Sequence, residues 1–525
     1  MLHKPSLPRF AVRETVFFGV ASAMLATLAA PRPAMADPFS FTAGDLVVSV
    51  EGNGSNTASG GGSSTGNTGG SANIYQDNQA APLTLDEFTT AGSQVGSLTL
   101  PQTSTPGGNY AVSGEYGSSS EGTLQLTGNG QYLTIMGYGV NAASYNSSAD
   151  LNGTGTALAQ SCSLSPASGC GGTAQVPRVI AEIGANGAVD STTALYNVFN
   201  ENNPRSVYSA DGSTFYISGQ GNHDSTGGVF YVNGKGAGAS VTPITGIDTN
   251  SKSNGSYGQD TRDVQIVNGQ LTVSVDSTEG TASKGYDIDR VGTLGSAGSP
   301  PTTTLNQQPT ALPGINGEVT LGNGNGNSVN MSTGGAWLSP ESFFYANATT
   351  LYIADSGVPK NGNGGTATNG PSDGGLQKWS LVNGTWQLDY TLSGNLGLVN
   401  YNTATCTSDT ASLSENPNCT TGLFGLTGSV VGDEVELFAT SFTLGDDNAS
   451  YLYGITDVLS DTAASQVTGE TFTQLAEAPP DSNFKGVAFA PVGAPEPWSV
   501  TLLVPGLVGL GLVMWQRRAS RVSFG

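Results

Sequence analysis

From about residue 121 to residue 478 the chain repeats one local pattern: an alternating apolar run, a turn of Gly, Asn or Asp, and a second alternating run. Thr123–Thr127, Gly128-Asn129-Gly130 and Tyr132–Met136 form one instance. Ser206–Ser209, Ala210-Asp211-Gly212 and Thr214–Ser218 form another, and Asp263–Val267, Asn268-Gly269 and Leu271–Val275 a third. Asn-Gly and Asp-Gly tolerate the positive φ that tight β-hairpins require, so each unit predicts a hairpin. No amphipathic helix longer than two turns is visible between the two chain ends. Strongly apolar hairpins, opening at Glu121, Arg205, Arg262, Glu341 and Phe424, alternate with more polar ones near Arg178, Gly228, Tyr286, Gly375 and Tyr451. Two hairpins make the four strands of a propeller blade. Five complete blades follow, at 121–197, 204–245, 261–305, 339–394 and 422–478. The leftovers are Phe484–Ala490, which reads as a first strand, and Leu46–Val50 with Leu83–Leu100, which read as the last three. Joined, they complete a sixth blade and remove the exposed edges that invite aggregation. The expected fold is all-β: a single six-bladed β-propeller closed by strands from both chain ends. A seven-bladed ring or a pair of β-sandwiches competes, because long insertions blur the period.

Composition narrows the functional classes. Gly is 75 of 525 residues, and only 11% are charged, against about 25% in average domains. Residues 37–494 keep 10 basic and 38 acidic side chains, a net charge of −28. Such a body repels nucleic acid and anionic membranes and attracts cations or basic partners. Residues 52–73, nearly all Gly, Ser, Thr and Asn, read as a flexible insert. The four cysteines fall into two local pairs, Cys162/Cys170 and Cys406/Cys419. In an oxidising compartment each pair is expected to form a loop disulfide. No histidine lies near either pair, which argues against zinc.

Few residues carry recognisable chemistry. His223, in Gly221–Gly227, is the one histidine of the body, so a Ser-His-Asp or Cys-His site would need it. No nucleophile elbow, zinc-protease or Walker motif occurs, and no catalytic residue is assigned. Asp446-Asp447-Asn448 and Asp287-Ile288-Asp289 offer clustered oxygen donors for calcium but lack an EF-hand loop. Trp379, Trp386 and Tyr390 offer aromatic stacking surface. The most informative set is positional. The first strand of each blade lines the central channel, and the opening residues are Glu121, Arg205, Arg262, Glu341, Phe424 and Lys485. Five of the six are charged in a charge-poor chain. Their convergence on a hub predicts a ligand or ion site, with a salt-bridge ring as the competing reading.

The ends of the chain supply an address. A basic opening (His3, Lys4, Arg9, Arg13), an apolar run over Val16–Ala30 and Ala34-Met35-Ala36 form a secretory signal peptide over residues 1–36. Pro495-Glu496-Pro497 precedes an uncharged run from Trp498 to Trp515, long enough to span a bilayer, then Arg517, Arg518 and Arg521. In order and position, residues 495–525 resemble the PEP-CTERM sorting signal. The resemblance implies processing by an exosortase-type enzyme in a Gram-negative bacterium that makes exopolysaccharide or biofilm. The body likewise resembles propeller proteins that recur among exosortase substrates. The expectation is an exported surface propeller, anchored in the envelope by a C-terminal transmembrane helix. Its expected role is non-catalytic binding of matrix polysaccharide or a surface protein. The alternative is a calcium-dependent extracellular hydrolase on the same fold, an idea carried by fold analogy alone.

Overall fold

The computed structural model describes residues 39–52, 75, 78–118, 120–147, 157–222, 225–246, 260–276, 290–315, 318–319, 329–330, 338–357, 372–399, 419–443 and 448–493. Among them the chain is nearly all β. The strands are β1 (Leu46–Gly52), β2 (Ala80–Phe88), β3 (Gln94–Thr99), β4 (Ser113–Glu115), β5 (Gln125–Leu126), β6 (Tyr132–Tyr138), β7 (Arg178–Gly184) and β8 (Val189–Leu195). Then come β9 (Pro204–Tyr208), β10 (Thr214–Gly219), β11 (Gly228–Asn233), β12 (Ser240–Pro243), β13 (Thr261–Val267), β14 (Gln270–Val275), β15 (Arg290–Leu294) and β16 (Thr310–Ala311). A short ribbon, β17 (Glu318–Val319) and β18 (Val329–Asn330), precedes β19 (Pro340–Asn347), β20 (Thr350–Asp355), β21 (Gly375–Val382) and β22 (Thr385–Leu392). The last five are β23 (Thr420–Val431), β24 (Glu434–Thr443), β25 (Tyr451–Val458), β26 (Thr473–Glu477) and β27 (Ser482–Phe489). One helix, α1 (Ala142–Ser147), and two 3₁₀ turns complete the described elements.

Pairing is antiparallel throughout these strands and follows chain order within each four-stranded group: β9–β12, β13–β16, β19–β22 and β23–β26. The strand β27 pairs with β1 on one side, and β1 pairs with β2, which carries β3. The two chain ends therefore meet in one sheet, Leu46 lying opposite both Phe88 and Phe489. The segment expected as the first complete blade, β5–β8, is not a separate sheet. The strand β4 pairs with both β2 and β6 and merges it with the β27-β1-β2-β3 group into nine strands. A second correction concerns the third blade, whose fourth strand is Thr310–Ala311 and not a strand ending by residue 305.

Burial follows position in the sheet. Second strands are buried along nearly their whole length, their alternate Ser and Thr included; β20 is buried at all six positions and β14 at five of six. Fourth strands lie at the edge, as in β3, where four of six residues are exposed. A repeated hydroxyl contact links successive sheets. Ser49 on β1 donates to Gly122 O, Thr134 on β6 to Val207 O, Ser218 on β10 to Arg262 O, Ser274 on β14 to Glu341 O, and Thr440 on β24 to Lys485 O. Each is a second-strand Ser or Thr reaching the first strand of the next sheet or the residues that lead into it. Between β20 and β23 the direction reverses, and Thr421 donates to Ser356 O at 2.7 Å. Such fully satisfied buried contacts fix how the sheets pack.

The expected signal helix, the C-terminal span and all of the flexible insert expected over 52–73 except Gly52, which ends β1, lie outside the described residues. Among the described residues no helix is long and apolar enough to cross a membrane.

Candidate functional site: a buried ring of charges

The charged opening residues are gathered and buried. Glu121, Arg205 and Glu341 are each 3% exposed, and the Lys485 side chain 12%. Arg262 Nη1 lies 3.4 Å from Glu341, Nη2 3.4 Å from Asp276, and Nε 3.5 Å from Asp260. Arg205 pairs with Asp260 too, and donates to Ser120 Oγ at 3.0 Å, Gln220 Oε1 at 3.0 Å and Thr261 O at 3.3 Å. Lys485 Nζ lies 3.5 Å from Glu51, donates to Ser118 O at 2.5 Å and sits 6.0 Å from the Phe424 ring centroid. Phe424 is thus the apolar floor beneath an ammonium.

Glu121 is held differently. It accepts from Asn203 Nδ2 at 2.6 Å, from the Glu115 amide at 3.2 Å, and from the Tyr138 hydroxyl. The Tyr138 ring in turn lies 4.6 Å from the guanidinium carbon of Arg178, a fully buried residue. Arg178 donates to the carbonyls of Ala159, Ser161, Val176, Phe199 and Asn202, which docks the 157–177 loop beside the ring. A disulfide, Cys162–Cys170, closes that loop as expected from the local spacing. Removing it with Cys162→Ala and Cys170→Ala is expected to cost at most about 2–3 kcal/mol by loop-closure entropy. Denaturant midpoints of variant and parent would check this. Cys419 is buried; its expected partner Cys406 lies outside the described residues.

Burial sets the electrostatics of the ring. Desolvation pushes Glu121 and Glu341 above the usual carboxylate range, against the pull of their donors and of Arg262 and Arg205. Arg205 is pulled down by burial and by its neighbour Arg262. Glu51 is pushed up to about 8, chiefly by burial, with Lys485 opposing and Glu121 adding to the rise. The ammonium at 3.5 Å is too distant for a strong hydrogen bond, so burial wins.

Sequence reasoning missed five members of this site, Glu51, Gln220, Asp260, Asp263 and Asp276, although a signal for three was present. Acceptors stand at the ends of second strands: Glu51 closes Leu46–Glu51, Asp276 follows Leu271–Val275, and Gln220 follows β10. Each faces the opening base of its own sheet, giving Glu51 with Lys485, Asp276 with Arg262, and Gln220 with Arg205. Asp260, just ahead of β13, and Asp263 within it have no such signal. Asp263 is the more connected by hydrogen bonds to side chains of other strands. It accepts from Gln125, from Ser206 at 3.2 Å, Gln265 at 2.8 Å and Ser342 at 2.9 Å, and from the Phe343 amide at 3.4 Å. Side chains of β5, β9, β13 and the β19 strand meet on one carboxylate, so polar side chains fill this level.

The aromatic trio is corrected. Trp379, Trp386 and Tyr390 are 1%, 5% and 5% exposed and belong to the core, so they offer no stacking surface. The reason is their position on β21 and β22, whose faces are covered by neighbouring sheets. Tyr390 also donates to Asp457 at 2.7 Å, beside Tyr352 at 2.5 Å and Lys378 at 3.0 Å, a second buried network. His223, Asp287, Ile288, Asp289, Asp446 and Asp447 lie outside the described residues; Asn448 is described and buried. Among the described residues no group of three or more His, Cys, Asp or Glu side chains is placed to hold a metal ion.

No protein-family model matches the chain, and no curated protein does. Among solved structures it is similar to a hypothetical selenium-binding protein from Sulfolobus tokodaii, at 10% identity and a TM-score of 0.36, over 85% of this chain and 94% of that one. It is also similar to a mutant Bombyx mori GH32 beta-fructofuranosidase in complex with sucrose, at 8% identity and a TM-score of 0.30, over 67% of this chain and 65% of that enzyme. Both likenesses are too loose to carry an argument about this chain.

Proposed function

We propose that this chain is an exported, envelope-anchored six-bladed propeller with a non-catalytic binding role, its hub charges bracing the ring. The carrying observation is that the three basic openings are consumed by carboxylates and carbonyls inside the protein. A hub poised for an anionic substrate would leave such bases facing solvent. Closure into six blades is supported by β27, whose Gly486 amide donates to Gly122 O ahead of β5 while its Lys485 reaches Phe424 on β23.

The calcium-dependent hydrolase reading fits these residues poorly. Calcium needs several free oxygen donors, and here a guanidinium sits within 3.5 Å of Asp260, Asp276 and Glu341. Its positive charge opposes a cation at that point. The two readings part in one assay. The full chain in detergent, mixed with the exopolysaccharide of the producing cells, is expected to co-sediment with it and release no new reducing ends, with or without calcium. Calcium-dependent release of sugar would overturn the proposal.

Anchoring has its own test. Deleting residues 498–525 is expected to free the body from the membrane fraction, and changing Pro495, Glu496 and Pro497 to Ala is expected to block processing while the protein stays membrane-bound. Unchanged processing of the Ala variant would reject the exosortase reading.

A further inference from the structure

In each four-stranded group, antiparallel order puts the turns after first and third strands at one end and the other connections at the opposite end. The second end carries the charge ring. The first, the turn face, is held together by turn-to-turn bonds: Gly128 N to Ser209 O at 2.9 Å, Asn129 N to Ala210 O at 2.8 Å, and Leu459 N to Asp433 O at 2.7 Å. Both described chain ends leave from this face. Phe41 N donates to Ala185 O in the β7–β8 turn, Ala490 N to Asp45 O, and Val492 N to Gly130 O, each at 2.8 Å. From Val492 only five residues separate the body from the apolar run that begins at Trp498. At full extension they span roughly 18 Å, so the face cannot stand far from whatever holds that run.

A second observation points the same way. Among the described residues the exposed large apolar side chains are Val95 (53%), Val382 (41%), Val430 (39%), Val431 (65%) and Val492 (46%). All five lie at the turn face: Val95 at the start of β3, Val382 at the end of β21, Val430 and Val431 at the tip of β23, and Val492 on the exit segment. Single exposed valines need no explanation; five confined to the face that leads into an apolar tail do.

We propose that the turn face rests against the lipid bilayer, with its valine tips at the headgroup boundary, and that the charge-ring face is presented outward. The proposal rests on the reading of the tail as a membrane anchor. Charge sets the lipid class. Asp45, Glu87, Glu182, Asp190, Asp211, Asp433, Glu434 and Glu436 lie at or near this face, with Lys235 the one base found there among the described residues. Anionic lipid repels such a face. The fitting surface is zwitterionic, and the tether supplies the effective concentration that shallow valine contacts lack.

The test uses the full chain in phosphatidylcholine vesicles. A fluorophore is placed on Gln94→Cys at the turn face or on Glu201→Cys at the charge-ring face, and quenched by nitroxide lipid. Flotation with the vesicles comes first: a chain that does not float defeats the anchor reading and this proposal together. In floating samples, quenching at position 94 is expected to exceed that at 201 by about threefold or more. Adding Val430→Ser and Val431→Ser should cut the signal at 94 about twofold, and phosphatidylglycerol should lower it also. Equal quenching at both positions, or stronger quenching at 201, overturns the orientation while leaving the anchor intact. Weak quenching at 94 accompanied by concentration-dependent self-crosslinking assigns the face to a second copy and overturns it too.

Discussion

Arg262→Ala is expected to destabilise the body by about 3–5 kcal/mol, because it strips the counter-charge from buried carboxylates without returning them to water. The guanidinium lies within 3.5 Å of Asp260, Asp276 and Glu341, whose side chains are 6%, 0% and 1% exposed. Two of these acids belong to the same sheet or its lead-in, and the third opens the next sheet, so the loss falls on the junction between sheets. Arg262→Met keeps most of the packing and removes the charge. It should lose nearly as much, which separates charge from volume. Lowering the pH should recover part of the loss in both variants, since the stranded carboxyls can then take up protons. Urea unfolding of parent and variants in detergent at pH 5 and pH 8 checks all three points. An Arg262→Ala midpoint equal to that of the parent would remove the bracing reading of the ring. If binding were lost with stability intact, the ring would instead be a ligand site.

The second large effect is one of pH and centres on Glu51. Its folded pKa of about 8 stands above the ordinary value of 4.5. A carboxyl raised in the folded state gives stability that is fully present below pH 4.5 and is lost as pH rises through 8. By linkage, a shift of this size is worth on the order of 5 kcal/mol across that window. Glu121 and Glu341 are raised also and act in the same direction. Glu51→Gln replaces the protonated acid by a neutral group of the same shape. The variant is expected to match the parent at pH 5 and to be the more stable of the two at pH 9. Parallel stability curves across this range would show that Glu51 is already ionised at neutral pH and paired with Lys485.

Much of this architecture follows from local chemistry. Asn268-Gly269 takes positive φ at both positions, 50° and 76°, so the turn and the register of β13 with β14 are set by two neighbouring residues. At Asp211-Gly212 only the glycine takes positive φ, 81°, and the disulfide loop is likewise closed between near neighbours, Cys162 and Cys170. Even the meeting of the chain ends was legible, because Phe484–Ala490 reads as a first strand with nothing after it, and Leu46–Val50 with Leu83–Leu100 as three strands with no first. Local patterns failed where a strand is too short to show a period. The three residues of β4 carry no alternation, yet they merge two expected blades by pairing with β2 and β6. The fourth strand at Thr310–Ala311 is shorter still.

The charge ring divides along the same line. The sequence by itself determined that charged residues open five of the six hairpin groups, and that acids close the apolar runs of β1 and β14. Only the tertiary structure decided which of them meet. Asp260 joins Arg205 to Arg262, Asp263 gathers donors as distant as Gln125 and Ser342, and Tyr390 turns inward to Asp457 instead of outward to a ligand. The physical reason is that a hairpin is specified by dihedral preferences and alternation over a few residues. Which side chains lose their water together depends on the packing of whole sheets from separate parts of the chain.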